Sequence, residues 1–117
     1  MVIKLIVIRT PDLQALSKFY KALGVSLKYH KHGKSPYHSS GSVGETVIEI
    51  YPLAKDQATV DTHLRIGIGL DDFDNVMSTL KSLEVRFIME PGSTEFGYMA
   101  IVMDPDSRKV ELYKTPA

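Results

Sequence analysis

The sequence contains no cysteine, which excludes disulfide bonds, thiolate catalysis and zinc–thiolate sites. It also has no excess of charge of either sign, since 14 basic and 14 acidic side chains cancel. A chain without a basic face has little affinity for nucleic acid or for an anionic membrane surface. We therefore expect neither as a partner, and the absence of cysteine fits a reducing compartment, which predicts a cytoplasmic protein.

Long hydrophobic runs are missing as well. The apolar residues 2–8 are too few to cross a bilayer, include Lys4 and are followed by no small-residue cleavage site. Their β-branched composition predicts a strand instead. With 117 residues and 44% hydrophobic content, the chain has the size of one ordinary domain and needs no disulfide or metal to fold.

The first half of the chain predicts a strand, a helix and three further strands. After a strand over residues 2–9, Asp12 is a helix N-cap, apolar residues from Leu13 to Leu23 recur at helical spacing, and Gly24 suits a left-handed C-terminal position. Turn residues then separate three predicted strands, over 25–33, 36–43 and 45–52.

The second half repeats this order. A strand over residues 62–70 precedes a helix from Phe73 to Leu83 that Asp71 or Asp72 caps. Three strands follow, over 84–89, 97–103 and 108–114, and residues 90–96 are expected to form a connector or a flap. This duplication predicts one domain, 1–117, with module 1 at about 1–53, a linker at about 54–60 and module 2 at about 61–117.

Several short stretches, in this order and spacing, resemble the vicinal oxygen chelate superfamily, which includes glyoxalases, extradiol dioxygenases and bleomycin-resistance proteins. The stretches are residues 9–13 (RTPDL), 19–24 (FYKALG), 45–52 (ETVIEIYP), 71–74 (DDFD), 96–98 (FGY), 104–106 (DPD) and 110–112 (VEL). The resemblance implies an α+β, glyoxalase-like fold in which two βαβββ modules form an open, curved mixed sheet around a groove. It also implies a homodimer.

The resemblance further implies where a metal would bind in metal-dependent members. Their two glutamate ligands correspond to Glu49 and Glu111, but their two histidine ligands correspond to Leu5 and Arg65. Leucine has no lone pair, and a guanidinium about 4 Å from a cation costs about 4 kcal/mol per unit of charge. We therefore expect no metal and no cofactor, with a rearranged site of His63, Glu49 and Glu111 as the alternative.

Strand alternation predicts which side chains face the groove. On this register Ile48, Ile50, Val110 and Leu112 pack under the helices, and two glycines, Gly67 and Gly69, leave room for a cavity on the opposite side. The residues predicted on the groove side are Leu5, Val7, Arg9, Val47, Glu49, Tyr51, His63, Arg65, Gly67, Gly69, Lys109, Glu111 and Tyr113.

Arg65 is the central residue of the predicted site. One interpretation is that its guanidinium replaces the metal charge between two glutamates; the other is that these charges only neutralise one another and hold the modules together. His30, His32 and His38 could share a metal, although we expect solvated hairpin residues. Core packing is expected of Phe19 and Tyr20, whereas Phe96 and Tyr98 are open as stacking platforms for a flat ligand.

These observations predict a small-molecule binding protein of the bleomycin-resistance type that holds an organic ligand in its groove. A metal-dependent lyase, isomerase or dioxygenase is the alternative, and a subunit or protein-interaction module is a third possibility, so whether any reaction is catalysed is left open. The predicted ligand-binding residues are Leu5, Val7, Val47, Glu49, Tyr51, His63, Arg65, Gly67, Phe96, Tyr98, Lys109, Glu111 and Tyr113.

Overall fold

A computed structural model describes residues 1–116, which divide into two compact units, the second beginning at residue 61. Each unit consists of a strand, a helix and three strands, so the predicted α+β class and the two βαβββ modules are confirmed. The first unit contains β1 (Leu5–Thr10), α1 (Leu13–Ala22), β2 (Lys28–His30), β3 (His38–Val43) and β4 (Thr46–Pro52). The second contains β5 (Ile66–Leu70), α2 (Phe73–Ser82), β6 (Phe87–Thr94), β7 (Gly97–Met103) and β8 (Lys109–Lys114).

Both sheets have the same topology. Their strand orders are β1-β4-β3-β2 and β5-β8-β7-β6, with one parallel pair, β1 with β4 or β5 with β8, and antiparallel pairs elsewhere. The parallel pair arises because the helix carries the chain from the first strand over one face of the sheet. Among residues 1–116, no helix has the length and apolar character needed to span a membrane.

The helices begin and end for local reasons. Asp12 caps α1, accepting a hydrogen bond from the Ala15 N–H at 3.1 Å, and Gly24 follows the helix with φ of +107°, as predicted. Asp72 is the N-cap of α2, but its carboxylate accepts from the Asn75 side chain instead of a backbone N–H. Glu84, with φ of 58°, takes the position that Gly24 has after α1.

The core of each unit lies between its helix and one face of its sheet. Ile48 and Ile50 of β4 and Val110 and Leu112 of β8 are all at most 2% exposed, so the predicted strand alternation is confirmed. The buried helix residues that complete these cores are Leu16, Phe19 and Tyr20 in α1 and Phe73, Val76, Met77 and Leu80 in α2. The opposite face of each sheet is therefore free to carry functional side chains.

Residues 90–96 are not a connector or a flap, because β6 extends through Pro91 and Gly92 to Thr94. The strand accommodates them at two register shifts, between Phe87 and Met89 and between Met89 and Gly92. Because β6 is at the edge of its sheet, it pairs with only one strand, β7. A proline, which has no N–H to donate, is therefore tolerated there at an irregular position.

Candidate functional site

In the second unit, Arg65, Glu111 and Tyr113 form one polar network. The Arg65 Nε lies 2.5 Å from one carboxylate oxygen of Glu111, and the Tyr113 hydroxyl donates to the other. This hydrogen bond is the main cause that raises the pKa of Tyr113 above its ordinary value of 10.0, with burial and the Glu111 charge adding to it. Arg65 precedes β5, which begins at Ile66 and not at residue 62 as predicted.

Gly67 lets this network lie flat on the sheet. Its α-carbon is paired with that of Glu111, and a β-carbon at this position would lie 3.2 Å from Cε1 of Tyr113. The space that the sequence predicts above Gly67 is therefore taken by the Tyr113 ring. We call this surface, formed by Gly67, Lys109, Glu111 and Tyr113, the Glu111 face.

The corresponding surface of the first unit combines apolar and polar side chains. Leu5 pairs with Val47, Val7 with Glu49 and Arg9 with Tyr51, so these six residues share the side of the sheet turned away from α1. We call it the Glu49 face. Leu5 and Val7 are 51% and 41% exposed, and a cleft of about 390 Å³ nearby is lined by Val47, Ser40, Ser42 and His30.

His38 is the residue of this face that the sequence interpretation placed wrongly. It is fully buried, not a solvated hairpin residue. It lies two positions before Ser40, which pairs with Glu49, and so on the Glu49 side of β3. Its ring stacks on Tyr51, with centroids 4.1 Å apart, and its Nε2 lies 3.5 Å from Oε2 of Glu49. The short turn at Gly44 and Glu45, which aligns β3 with β4, is the sequence signal that could have located it.

The imidazoles of His30 and His32 lie next to that of His38. The ring centroids of the three histidines are 4.6 to 5.2 Å apart. Burial lowers the pKa of His30 from its ordinary 6.5, because it penalises the charged imidazole, and the neighbouring histidines lower it further. The cluster therefore favours at least one neutral ring.

Three of the predicted ligand-binding residues lie elsewhere. His63 precedes β5, and its imidazole, 97% exposed, is 3.9 Å from the Asp61 carboxylate. Tyr98 lies on the same side of β7 as the buried Ala100 and Val102. Its ring contacts Phe73 of α2 edge-on, so it lies on the core side of its sheet. Phe96 is 73% exposed in the β6–β7 turn.

The residues at the family's ligand positions do not fit a metal ion. Leu5 offers no donor atom, and Arg65 is a permanent cation that already pairs with Glu111. The remaining carboxylate oxygen of Glu111 accepts from Tyr113. An ion at this position would have to displace both partners and then lie beside a guanidinium.

Solved structures share this architecture. The antibiotic-binding protein TnmS3 from Streptomyces sp. CB03234 superposes with a TM-score of 0.79 at 19% identity, covering 99% of this chain and 97% of that one. TioX from Micromonospora sp. ML1 gives 0.74 at 12% identity, with 97% and 98% covered. A glyoxalase I mutant from Zea mays gives 0.78 at 20% identity, where 98% of this chain corresponds to 46% of that chain.

Sequence identities this low show a shared fold only, so family membership has to be judged from sequence comparison. No curated protein matches the chain. A family model described as Glyoxalase/Bleomycin resistance protein/Dioxygenase superfamily, however, matches residues 2–112, nearly the whole length. The chain therefore belongs to the glyoxalase/bleomycin resistance protein/dioxygenase superfamily.

Proposed function

We propose that this chain is a small-molecule binding protein of the glyoxalase/bleomycin-resistance type, whose organic ligand contacts the Glu111 face. The ion pair between Arg65 and Glu111 is the observation that carries the proposal. It puts a fixed organic cation where metal-dependent members of the family have a ligand for an ion. The charged groups of Arg65 and Glu111 can therefore form hydrogen bonds to polar groups of a ligand directly, without a metal ion between them.

The side chains around this ion pair suit an organic ligand. Lys109 and Tyr113 add a cation and a hydroxyl on the same side of β8 as Glu111. The Glu49 face of the first unit, a surface in its own right, combines the aliphatic side chains of Leu5, Val7 and Val47 with Glu49. A few polar groups among apolar walls are typical of small-molecule sites, because the walls contribute affinity and the polar groups orientation.

The similarity to TnmS3 supports the choice of ligand class. That protein is described as antibiotic-binding, and it matches this chain over almost its full length. We therefore propose that the ligand is a natural-product antibiotic or a molecule of similar size and polarity. No observation favours the third possibility, a pure interaction module, over this one.

The metal-dependent enzyme, with Glu49, Glu111 and His63 as ligands, is the weaker candidate. It requires Glu111 to leave Arg65 and Tyr113, and the contact that the structure gives His63 is with Asp61. We do not propose it.

Screening chelator-treated protein against a library of natural-product antibiotics, bleomycin included, tests the proposal by thermal shift. A ligand present at 100 times its Kd raises the free energy of unfolding by about 2.7 kcal/mol, a readily detected change in Tm. Each compound that stabilises the protein is then titrated calorimetrically into the wild type and three variants.

Arg65→Gln and Glu111→Gln are expected to weaken binding about tenfold or more, since a charge-assisted hydrogen bond contributes at least 1.5 kcal/mol. Arg86→Gln is the matched control, because Arg86 is also exposed but belongs to the segment between α2 and β6. The proposal fails if no compound stabilises the protein, or if binding is as strong in the two site variants as in the control.

The homodimer and the cytoplasmic location are also proposals, and both derive from the family resemblance and the composition. Sedimentation equilibrium measures the first directly. A mass of 13.1 kDa at all concentrations would contradict it.

A further inference from the structure

The β2–β3 hairpin brings three histidines to one point of the first unit. His30 and His38 are paired across the two strands, and His32 lies in the turn between them. One ring nitrogen of each histidine lies within 4.8 Å of those of the other two. Three nitrogens bound to one Zn²⁺ at about 2.1 Å are at most about 4.2 Å apart, so small side-chain rotations would bring the cluster to coordination distance.

His38 is oriented as a metal ligand. Its Nδ1 lies 3.0 Å from the carbonyl oxygen of Pro36, which can only accept, so Nδ1 carries the proton. Histidine ligands commonly donate their second ring N–H to a backbone carbonyl in this way, which fixes the tautomer and the ring. Stacking on Tyr51 holds the ring further, and the Arg9 guanidinium lies 5.1 Å from the centre of the Tyr51 ring.

Two buried nitrogens in this cluster have no hydrogen-bond partner among the described residues. They are Nε2 of His30 and Nε2 of His38. The His38 nitrogen faces the Glu49 carboxylate at 3.5 Å, which is longer than a charge-assisted hydrogen bond. Buried polar atoms are normally satisfied, so an unpartnered Nε2 of His38 that faces a carboxylate, with a second unpartnered imidazole nitrogen in the same cluster, suits the binding of a cation.

We propose that His30, His32 and His38 bind a divalent transition-metal ion, with Glu49 as the fourth donor. Imidazole nitrogens with one carboxylate are a donor set for Zn²⁺, Ni²⁺, Co²⁺ or Cu²⁺, and not for Mg²⁺ or Ca²⁺, which prefer oxygen. The site lies within one unit, on the hairpin strands. It shares Glu49 with the four ligand positions that the family resemblance implies, but its three histidines lie at none of them, and it does not depend on the ion pair in the second unit that carries the proposed function.

Titration of tag-free, chelator-treated protein with Co²⁺ and with Zn²⁺ tests the site. We expect one ion per chain in calorimetry, and with Co²⁺ the visible absorption bands of a nitrogen-rich, low-symmetry site. His32→Ala removes an exposed ligand without touching the core, and His30→Gln removes a second. Loss of a residue that only supports a metal ligand typically weakens metal affinity ~10–100-fold. Each variant removes a ligand itself, so its affinity for the metal ion is expected to fall by at least that much.

His63→Ala is the matched control, because it removes the one remaining histidine of the chain, in the other unit, and should leave the affinity unchanged. Circular dichroism confirms that the variants are folded. The proposal is overturned if neither ion binds stoichiometrically, or if His32→Ala and His30→Gln bind like His63→Ala. The cluster would then be explained by packing of the three imidazoles and the contact of His38 with Glu49 alone.

Discussion

Replacing Arg108 with alanine should destabilise the second unit by about 3–5 kcal/mol, the usual cost of removing one partner from a buried ion pair. Arg108 is 3% exposed, and its NH1 lies 3.1 Å from an oxygen of Asp104 and 3.0 Å from one of Asp106. Each pair attracts with about 5 kcal/mol at an effective dielectric near 20, which the desolvation of three charges largely offsets. Truncation leaves that desolvation uncompensated. Arg108 also donates from Nε to the Asp61 carbonyl at 2.8 Å.

Urea denaturation followed by circular dichroism measures this loss. In thermal denaturation, the same loss of unfolding free energy should lower the Tm by on the order of 10–20 °C for a domain of this size. Arg86→Ala, an exposed arginine, should stay within about 0.5 kcal/mol of the wild type. Adding Asp104→Asn to Arg108→Ala should recover part of the loss, since asparagine can still accept the N–H groups of Asp106 and Arg108. A loss below about 1 kcal/mol, or a double variant no better than the single one, would refute the reasoning.

Three further predictions follow from local geometry. Gly67→Val should lower the free energy of unfolding by about 1–3 kcal/mol, because the new side chain overpacks against Tyr113. Gly92→Ala, whose new β-carbon meets nothing closer than 3.8 Å, should lower it by less than half as much. Equal losses of unfolding free energy in urea denaturation would contradict this. The pKa of Tyr113, followed by ¹³C NMR, should lie above 10.0 and fall in Glu111→Ala. Because the folded-state pKa is raised, the hydrogen bond stabilises the protein fully below pH 10 and this stabilisation is lost at higher pH. An unchanged titration midpoint of Tyr113 in the variant would disprove the coupling. Glu84→Gly should raise stability by up to about 1 kcal/mol, since glycine removes the left-handed strain at φ of 58° but is more flexible when unfolded, and a lower urea midpoint would argue against it.

The fold could be predicted because its signals are local. Asp12 and Gly24 delimit the first helix through their own hydrogen bonds and dihedral angles. The alternation at Ile48 and Ile50 assigns each side of β4 without knowledge of any other strand. Residues 90–96 were misjudged because proline and glycine are also compatible with an edge strand that contains bulges.

The candidate site was less accessible to sequence reasoning because it depends on pairing between strands. Alternation within two strands was enough to expect Arg65 on the side of its strand that Glu111 also occupies, and the sequence interpretation placed it between Glu49 and Glu111. Alternation was not enough for His38, since its burial depends on the register of β3 against β4, which places it opposite Tyr51. The face of Tyr98 was missed because the strand that contains it was not aligned with its neighbours.

The irregular edge strand β6 also bears on solubility. A long, flat edge strand offers unpaired N–H and C=O groups to other chains and is a template for aggregation. In β6 the missing N–H of Pro91 and the two register shifts interrupt that template, and Lys81 pairs with Glu90 to place charge beside it. In the first unit the corresponding edge, β2, is only three residues long. Both antiparallel edges are thus protected against self-association by strand pairing, one by its irregularity and the other by its shortness.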